Sequence, residues 1–370
     1  SGYIYFVGLS AGAFLLSSLV YVGGVASLQR VARPALLTAA ITLGMALLCI
    51  WFDLGHMWRF WEIFTRPSFS SLMAWMVWLY SAYFLLILLE LWFEMRLDLS
   101  LLAREGGRFA GLYRLLSLGY SAPADPEGQA LERARAKSTL RILGAIGVPL
   151  AIAFHGGVGA LFASLSARPY WHTALYPILF LTGALVSGGA LLLAVVSFTE
   201  LGRGEEGTRT LQTLSRAVVG LLVFDLILEW AEISIPAWYR IGSEYELLKV
   251  VLFGQYWYVF WIGHILLGAV IPIVLLLRKP PSASRYGVAG ALIAATFLAV
   301  RLNLVIPGQV TPQLHGLESA YVDHRLLFSY VPSLFEWSII AFVVAVGATV
   351  FLLARRILPM DGEHGPHPVR

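Results

Sequence analysis

A chain of 370 residues that is 58% hydrophobic and only 13% charged is not an ordinary soluble domain, which would carry about twice that charged fraction. Its formal net charge of +4 is too small to signal nucleic acid and instead reflects basic loops lying against a membrane. The single cysteine, Cys49, excludes both an internal disulfide and a thiolate-ligated iron–sulfur cluster within the chain.

A helix needs roughly 20 apolar residues to cross a bilayer core, and its backbone polar groups are satisfied internally. The apolar runs predict nine spans, near 3–25, 35–52, 71–93, 142–165, 173–198, 217–237, 250–277, 286–304 and 328–354. The predicted fold is all-α, one polytopic transmembrane helix bundle over residues 1–370. The first run has neither a basic leader nor a small-residue cleavage site, so no cleavable signal peptide is visible. The chain opens on Ser1, which suggests a preceding segment and a tenth helix. Outer loops are expected at 53–70 and 305–327. The arginine-rich stretch 94–141, with Pro123 and Pro126, is expected to form a cytoplasmic amphipathic helix and a loop.

Basic residues set the orientation. One side carries Arg30 and Arg33, eight between Arg96 and Arg141, then Arg203, Arg209, Arg216, Arg278, Lys279, Arg285, Arg355, Arg356 and Arg370. The other holds only Arg59, Arg66, Arg168, Arg240, Lys249, Arg301 and Arg325. Residue 1 therefore lies outside and residue 370 in the cytoplasm. Trp58, Trp61, Tyr170, Trp171, Trp238 and Tyr239 gather at the outer interface, where aromatic belts anchor membrane proteins.

Ionisable residues inside a membrane cost roughly 2.5–3.5 kcal/mol each on insertion scales, so a cluster of them points to function. In VFDLILEWAEIS, Asp225, Glu229 and Glu232 fall at i, i+4 and i+7, within about 40° of one another on a helix. Such an acidic stripe suits a proton path; the plain alternative is a set of structural ion pairs with Arg301. Glu336, read as two turns inside the ninth span, extends the path, and Arg301 and Asn303 close the eighth span outward. In GVPLAIAFHGGVGALF, Pro149 kinks the helix, and Gly156, Gly157 and Gly159 are expected to leave space beside His155, making it a ligand candidate. His264 reads as lying deeper, toward the cytoplasm. The outer segment around Trp58, Trp61 and Arg66 has the composition of a docking platform for an extrinsic subunit. No metal site is expected.

The first helix YFVGLSAGAFLLSS, RPALL at 33–37, DLG at 53–55, then Arg59, Phe60, Trp61 and RPSFSSLMAW at 66–75 resemble the NrfD/PsrC family of membrane subunits. His155 among glycines, the acidic sixth helix, Arg301 and the closing helix with Glu336 resemble its ten-helix branch, which includes membrane subunits of periplasmic hydrogenase, Dsr and alternative complex III assemblies. The resemblance covers nearly the whole chain. It departs in showing nine spans, and in a first helix with little polar beyond Ser10.

This resemblance implies a quinone-reactive subunit with no haem or iron–sulfur cluster of its own, using menaquinone or ubiquinone. His155, Asp53, Arg59 and Arg301 are the implied quinone contacts, and Asp225, Glu229, Glu232 and Glu336 the proton path. It further implies an extrinsic ferredoxin-like iron–sulfur partner on the outer face, a further catalytic or electron-carrier subunit, and a multi-pass location in a bacterial or archaeal inner membrane. The competing readings are a proton-coupled transporter and a haem-b anchor subunit. No evident inverted repeat supports the first, and the scattered histidines argue against the second.

Overall fold

Each predicted span is realised as a long helix in the computed structural model, which describes residues 1–240, 242–312, 316, 323 and 328–360. In chain order these are α1 (Gly2–Tyr21), α2 (Ala32–Asp53), α3 (Leu72–Glu105), α4 (Pro126–Ala163), α5 (Tyr176–Ser197), α6 (Gly204–Tyr239), α7 (Val259–Leu277), α8 (Ala283–Val310) and α9 (Leu334–Ile357). Eight of them are long and apolar enough to cross a membrane. The other, α6, has its apolar run broken by Asp225, Glu229 and Glu232, yet it packs against α5 within the same bundle. The described residues contain no strand.

The bundle is built around α1 and α5, the two helices with most of their length buried. Between apolar helices in lipid the drive to associate is close packing, so small residues mark the contacts. At Gly12 of α1 an added Cβ would collide with the carbonyl oxygen of Ala184 on α5, and at Gly188 it would stand 2.6 Å from the Ala13 amide. Gly290 of α8 meets the Ala190 carbonyl of α5 in the same way. At the other extreme, α9 lies on the outside, packed chiefly on α2.

Several boundaries differ from the sequence reading. Most of 94–141 is a continuation of α3 to Glu105 and of α4 from Pro126, leaving one short helix, Ala110–Leu116, between them. Asp125 caps α4, its Oδ2 accepting from the Gly128 amide at 2.6 Å, and Pro126 suits the first helical position. Arg33 ties the inner ends together: it pairs with Glu94 (3.2 Å) and Asp98 (2.7 Å) and donates to the Pro359 carbonyl (2.7 Å). The run 250–277 divides into a separate helix, Gly242–Leu252, and α7. Most of α7, Val259–Val270, is π-helical, and the register returns to α just before Pro272. Helix α8 runs on to Val310, so 305–310 is helix, while 313–315, 317–322 and 324–327 of the expected outer loop lie outside the described residues.

Candidate functional site

A cavity of about 90 Å³ opens between α5, α6, α7 and α8, toward the end of the bundle that carries Tyr170. The helix Gly242–Leu252 covers it through Leu248 and Val251, and Tyr170 and Tyr176 close its outer edge. Tyr176 donates to the Tyr170 carbonyl (2.8 Å), Tyr170 to that of Asn303 (3.3 Å), and the Trp171 indole to that of Leu304 (2.8 Å). Gly308 permits this: a Cβ there would strike the Trp171 ring.

Five acids and bases meet inside. His264 Nε2 lies 3.1 Å from Glu229 Oε2. Asp225 Oδ1 accepts from the Thr182 hydroxyl at 2.6 Å, and Glu232 Oε2 from Thr173 at 3.2 Å. Arg301 is 3% exposed and sits over two aromatic faces, its Cζ 4.4 Å from the Phe180 ring centre and 5.2 Å from that of Phe297. Its Nε and Nη2 have no hydrogen-bond partner among the described residues, and the same holds for Nδ2 of Asn303. Buried donors left open in this way are rare and mark a place where a further acceptor belongs.

The stripe of Asp225, Glu229 and Glu232 therefore lines one cavity together with Arg301, as the spacing on α6 suggested. His155 is a correction to the sequence reading. It is fully buried, but it stands behind Phe180 (ring centres 6.5 Å apart) and does not line the cavity. Two of the three glycines beside it are filled: a Cβ at Gly157 would meet Met76 Sδ at 2.7 Å, and one at Gly159 the Tyr176 carbonyl at 2.6 Å, while at Gly156 the nearest atom is the Pro177 carbonyl oxygen at 4.0 Å. Gly157 and Gly159 serve close helix approach rather than a ligand volume.

Asp53 ends α2 and is exposed. Arg59 is exposed and forms a bidentate pair with Glu62 (2.7 and 2.9 Å), which holds that carboxyl below the usual carboxylate range. Neither residue reaches the cavity. Glu336 is not two turns inside a span: it lies in the first turn of α9, exposed, in a capping box with Ser333 and bonded to Tyr330. It belongs to helix capping and not to the acid cluster. Trp58, Trp61 and Arg66 are exposed beside Phe60 and Phe64 on the outer end, Trp58 at 79%.

His264 and the covering helix were missed by sequence reasoning for one reason. With the span begun at 250, His264 counts as fourteen residues deep; with α7 beginning at Val259 it is five residues in, level with Glu229. The signals available were Gly242 and Gly254, which bracket the covering helix. A π-helical stretch around a buried histidine is itself a common mark of a functional site.

A bundle of helices able to span a membrane, with an acid–base cavity between them, defines an integral, multi-pass membrane protein. Residues 1–313 match the family described as polysulphide reductase, NrfD, and the chain belongs to that family. It is similar to a selenate reductase subunit from Mesobacillus selenatarsenatis, 37% identical over 97% of this chain and 84% of the relative. It is also similar to the Hdr-like menaquinol oxidoreductase integral membrane subunit of Archaeoglobus fulgidus (27%, covering 100% and 86%) and to a polysulfide reductase chain from Wolinella succinogenes (27%, covering 83% and 92%).

Proposed function

We propose that this chain is the quinone-reactive membrane subunit of a multi-subunit oxidoreductase. It exchanges electrons between menaquinone or ubiquinone and an extrinsic iron–sulfur subunit docked on the outer face of a bacterial or archaeal inner membrane. The observation that carries this reading is the pair of buried, unpartnered donors, Arg301 and Asn303, in an aromatic-walled cavity beside three carboxylates. Relatives named as reductase subunits and as a menaquinol oxidoreductase subunit support it.

The residues fit a quinone headgroup. Its carbonyl oxygens are acceptors, and the open N–H groups of Arg301 and Asn303 are donors. The rings of Phe180, Phe260 and Phe297 supply apolar walls for a planar ring. A bound quinone supplies two-electron, two-proton redox chemistry. The protein's part is to hold donors at the oxygens and to move protons. His264 Nε2 and Glu229 Oε2 are close enough to share one proton, which leaves the pair neutral overall; when the pair gains or releases a proton, the charge left behind is offset by Asp225 and Arg301 beside it. Asp225, fixed by Thr182, stands beside them as the next acceptor, and Arg301 offsets the acids.

In the assembled complex, Arg301→Gln should raise the quinone KM or inhibitor Kd by about tenfold or more, as loss of a buried charged donor does. Dye-linked activity of the extrinsic subunits should stay unchanged. Unaltered quinone KM and inhibitor binding would remove the cavity from the reaction.

A further inference from the structure

Helix α3 carries a second buried acid, far from the cavity. Glu90 is 0% exposed, and neither carboxylate oxygen has a hydrogen-bond partner among the described residues. It begins a stripe: Glu90, Glu94 and Asp98 follow at i, i+4 and i+8, one face of the helix stepping toward the cytoplasmic end. Glu94 and Asp98 are partly open to water and both pair with Arg33. On α1, Ser10, Phe14, Ser17 and Tyr21 recur at helical spacing, and Phe14 packs edge-on to Tyr83 of α3 with ring centres 5.2 Å apart. The Ser17 hydroxyl is likewise buried without a partner among the described residues, and the Tyr21 hydroxyl faces Glu94, with Glu90 within electrostatic reach. Orphaned polar atoms at one level of a bundle are what ordered water bridges.

The polar line continues outward. Tyr83, two turns from Glu90 on the same face, donates to the Ser10 carbonyl at 3.4 Å, and the Ser10 hydroxyl donates to the Ala39 carbonyl at 2.8 Å. Two residues beyond Ser10, a Cβ at Gly8 would lie 3.6 Å from the Ser187 hydroxyl and 3.8 Å from the open Nη2 of Arg301. Polar groups are thus spaced along α1 and α3 from Asp98 to Arg301.

We propose that Glu90 is a proton-exchange site, the inner station of a second path that joins the cytoplasm to the cavity along the α1–α3 contact. A proton from cytoplasmic water adds to the Glu90 carboxylate, forming an O–H bond, and leaves as a proton through bridging water toward Tyr83, Ser10 and Arg301. No electron moves in this step. Reduction of a quinone in the cavity would draw two protons by this route, and oxidation of the quinol would return them; that coupling rests on the reading of the cavity given above.

The test uses the native complex and its Glu90→Gln and Glu90→Asp variants, reconstituted in phospholipid vesicles with a lipid-soluble quinone and a pH dye inside. Glu90→Gln should slow proton-coupled turnover on the order of 100-fold and abolish movement of protons across the membrane, with an unchanged quinone KM. Glu90→Asp should restore part of both, which a bracing residue would not require. Full turnover and proton movement in Glu90→Gln would overturn the proposal. Infrared spectroscopy separates this from the quinone assignment and covers a poorly assembling amide variant. Glu90 should give a carboxylic C=O band that exchanges in D₂O in the wild type and shifts in Glu90→Asp, whether or not quinone binds. A wild-type spectrum in which no exchanging band responds to Glu90→Asp would also overturn it.

Discussion

The chemistry of the cavity turns on whether His264 and Glu229 act as one unit. Groups that share a proton are non-additive, because removing either partner disables both. Glu229→Gln and His264→Gln should each slow quinone-linked turnover strongly, and the double variant should be no worse than the more damaged single one; additive losses would mean separate roles. Asp225→Asn, which keeps the shape but cannot ionise, should slow turnover and also lower assembly, because Arg301 loses a compensating charge in a buried place. Co-purification of the extrinsic subunits, measured beside turnover, separates the two effects. The α6 acids were legible because their cost in a membrane and their shared face are both sequence properties. Glu336 was misread because the span was begun at 328 instead of 334, although Ser333-x-x-Glu336 is a sequence signature of a helix start. Glu90 stood unremarked in an apolar run, although its i, i+4, i+8 companions Glu94 and Asp98 were equally visible.

Among the elements, the α1–α5 contact holds the frame that carries Arg301 and Thr182 into position. Gly188→Leu would force a side chain into the backbone of Gly12 and Ala13, and should destabilise the subunit by about 1–3 kcal/mol or prevent assembly. Gly44→Leu on α2, where nothing lies within 4 Å, should be tolerated. Thermal stability and yield of the purified complex would show the contrast; equal behaviour of the two would contradict this account of the packing. The existence and order of the helices were legible from length and hydropathy alone, since lipid leaves the backbone few other choices. Their ends were not. Helices α3 and α4 run past the bilayer on polar sequence stabilised by Arg33, Asp125 and their partners, and no apolar count registers that. The same limit hid the start of α7 and displaced His264.

The whole molecule presents an exposed aromatic and cationic surface at 56–70 on the same end as the cavity. If the electron-carrying partner docks there, Trp58→Ala with Arg66→Ala should release the extrinsic subunit on purification while leaving quinone-inhibitor binding in the membrane subunit intact. Retention of a full complement of subunits would place the docking elsewhere. This surface was legible in composition, whereas the cavity was not, because it depends on how four successive helices and the short helix Gly242–Leu252 pack against one another.

The most direct test of the central claim is photo-crosslinking of the native complex with an azido-quinone, followed by peptide mapping. The account predicts label on α6 between Asp225 and Glu232 and on α8 between Phe297 and Leu304, displaced by excess unmodified quinone and lost in Arg301→Gln. Label confined to α1–α3, or to the exposed segment around Arg59, would contradict it.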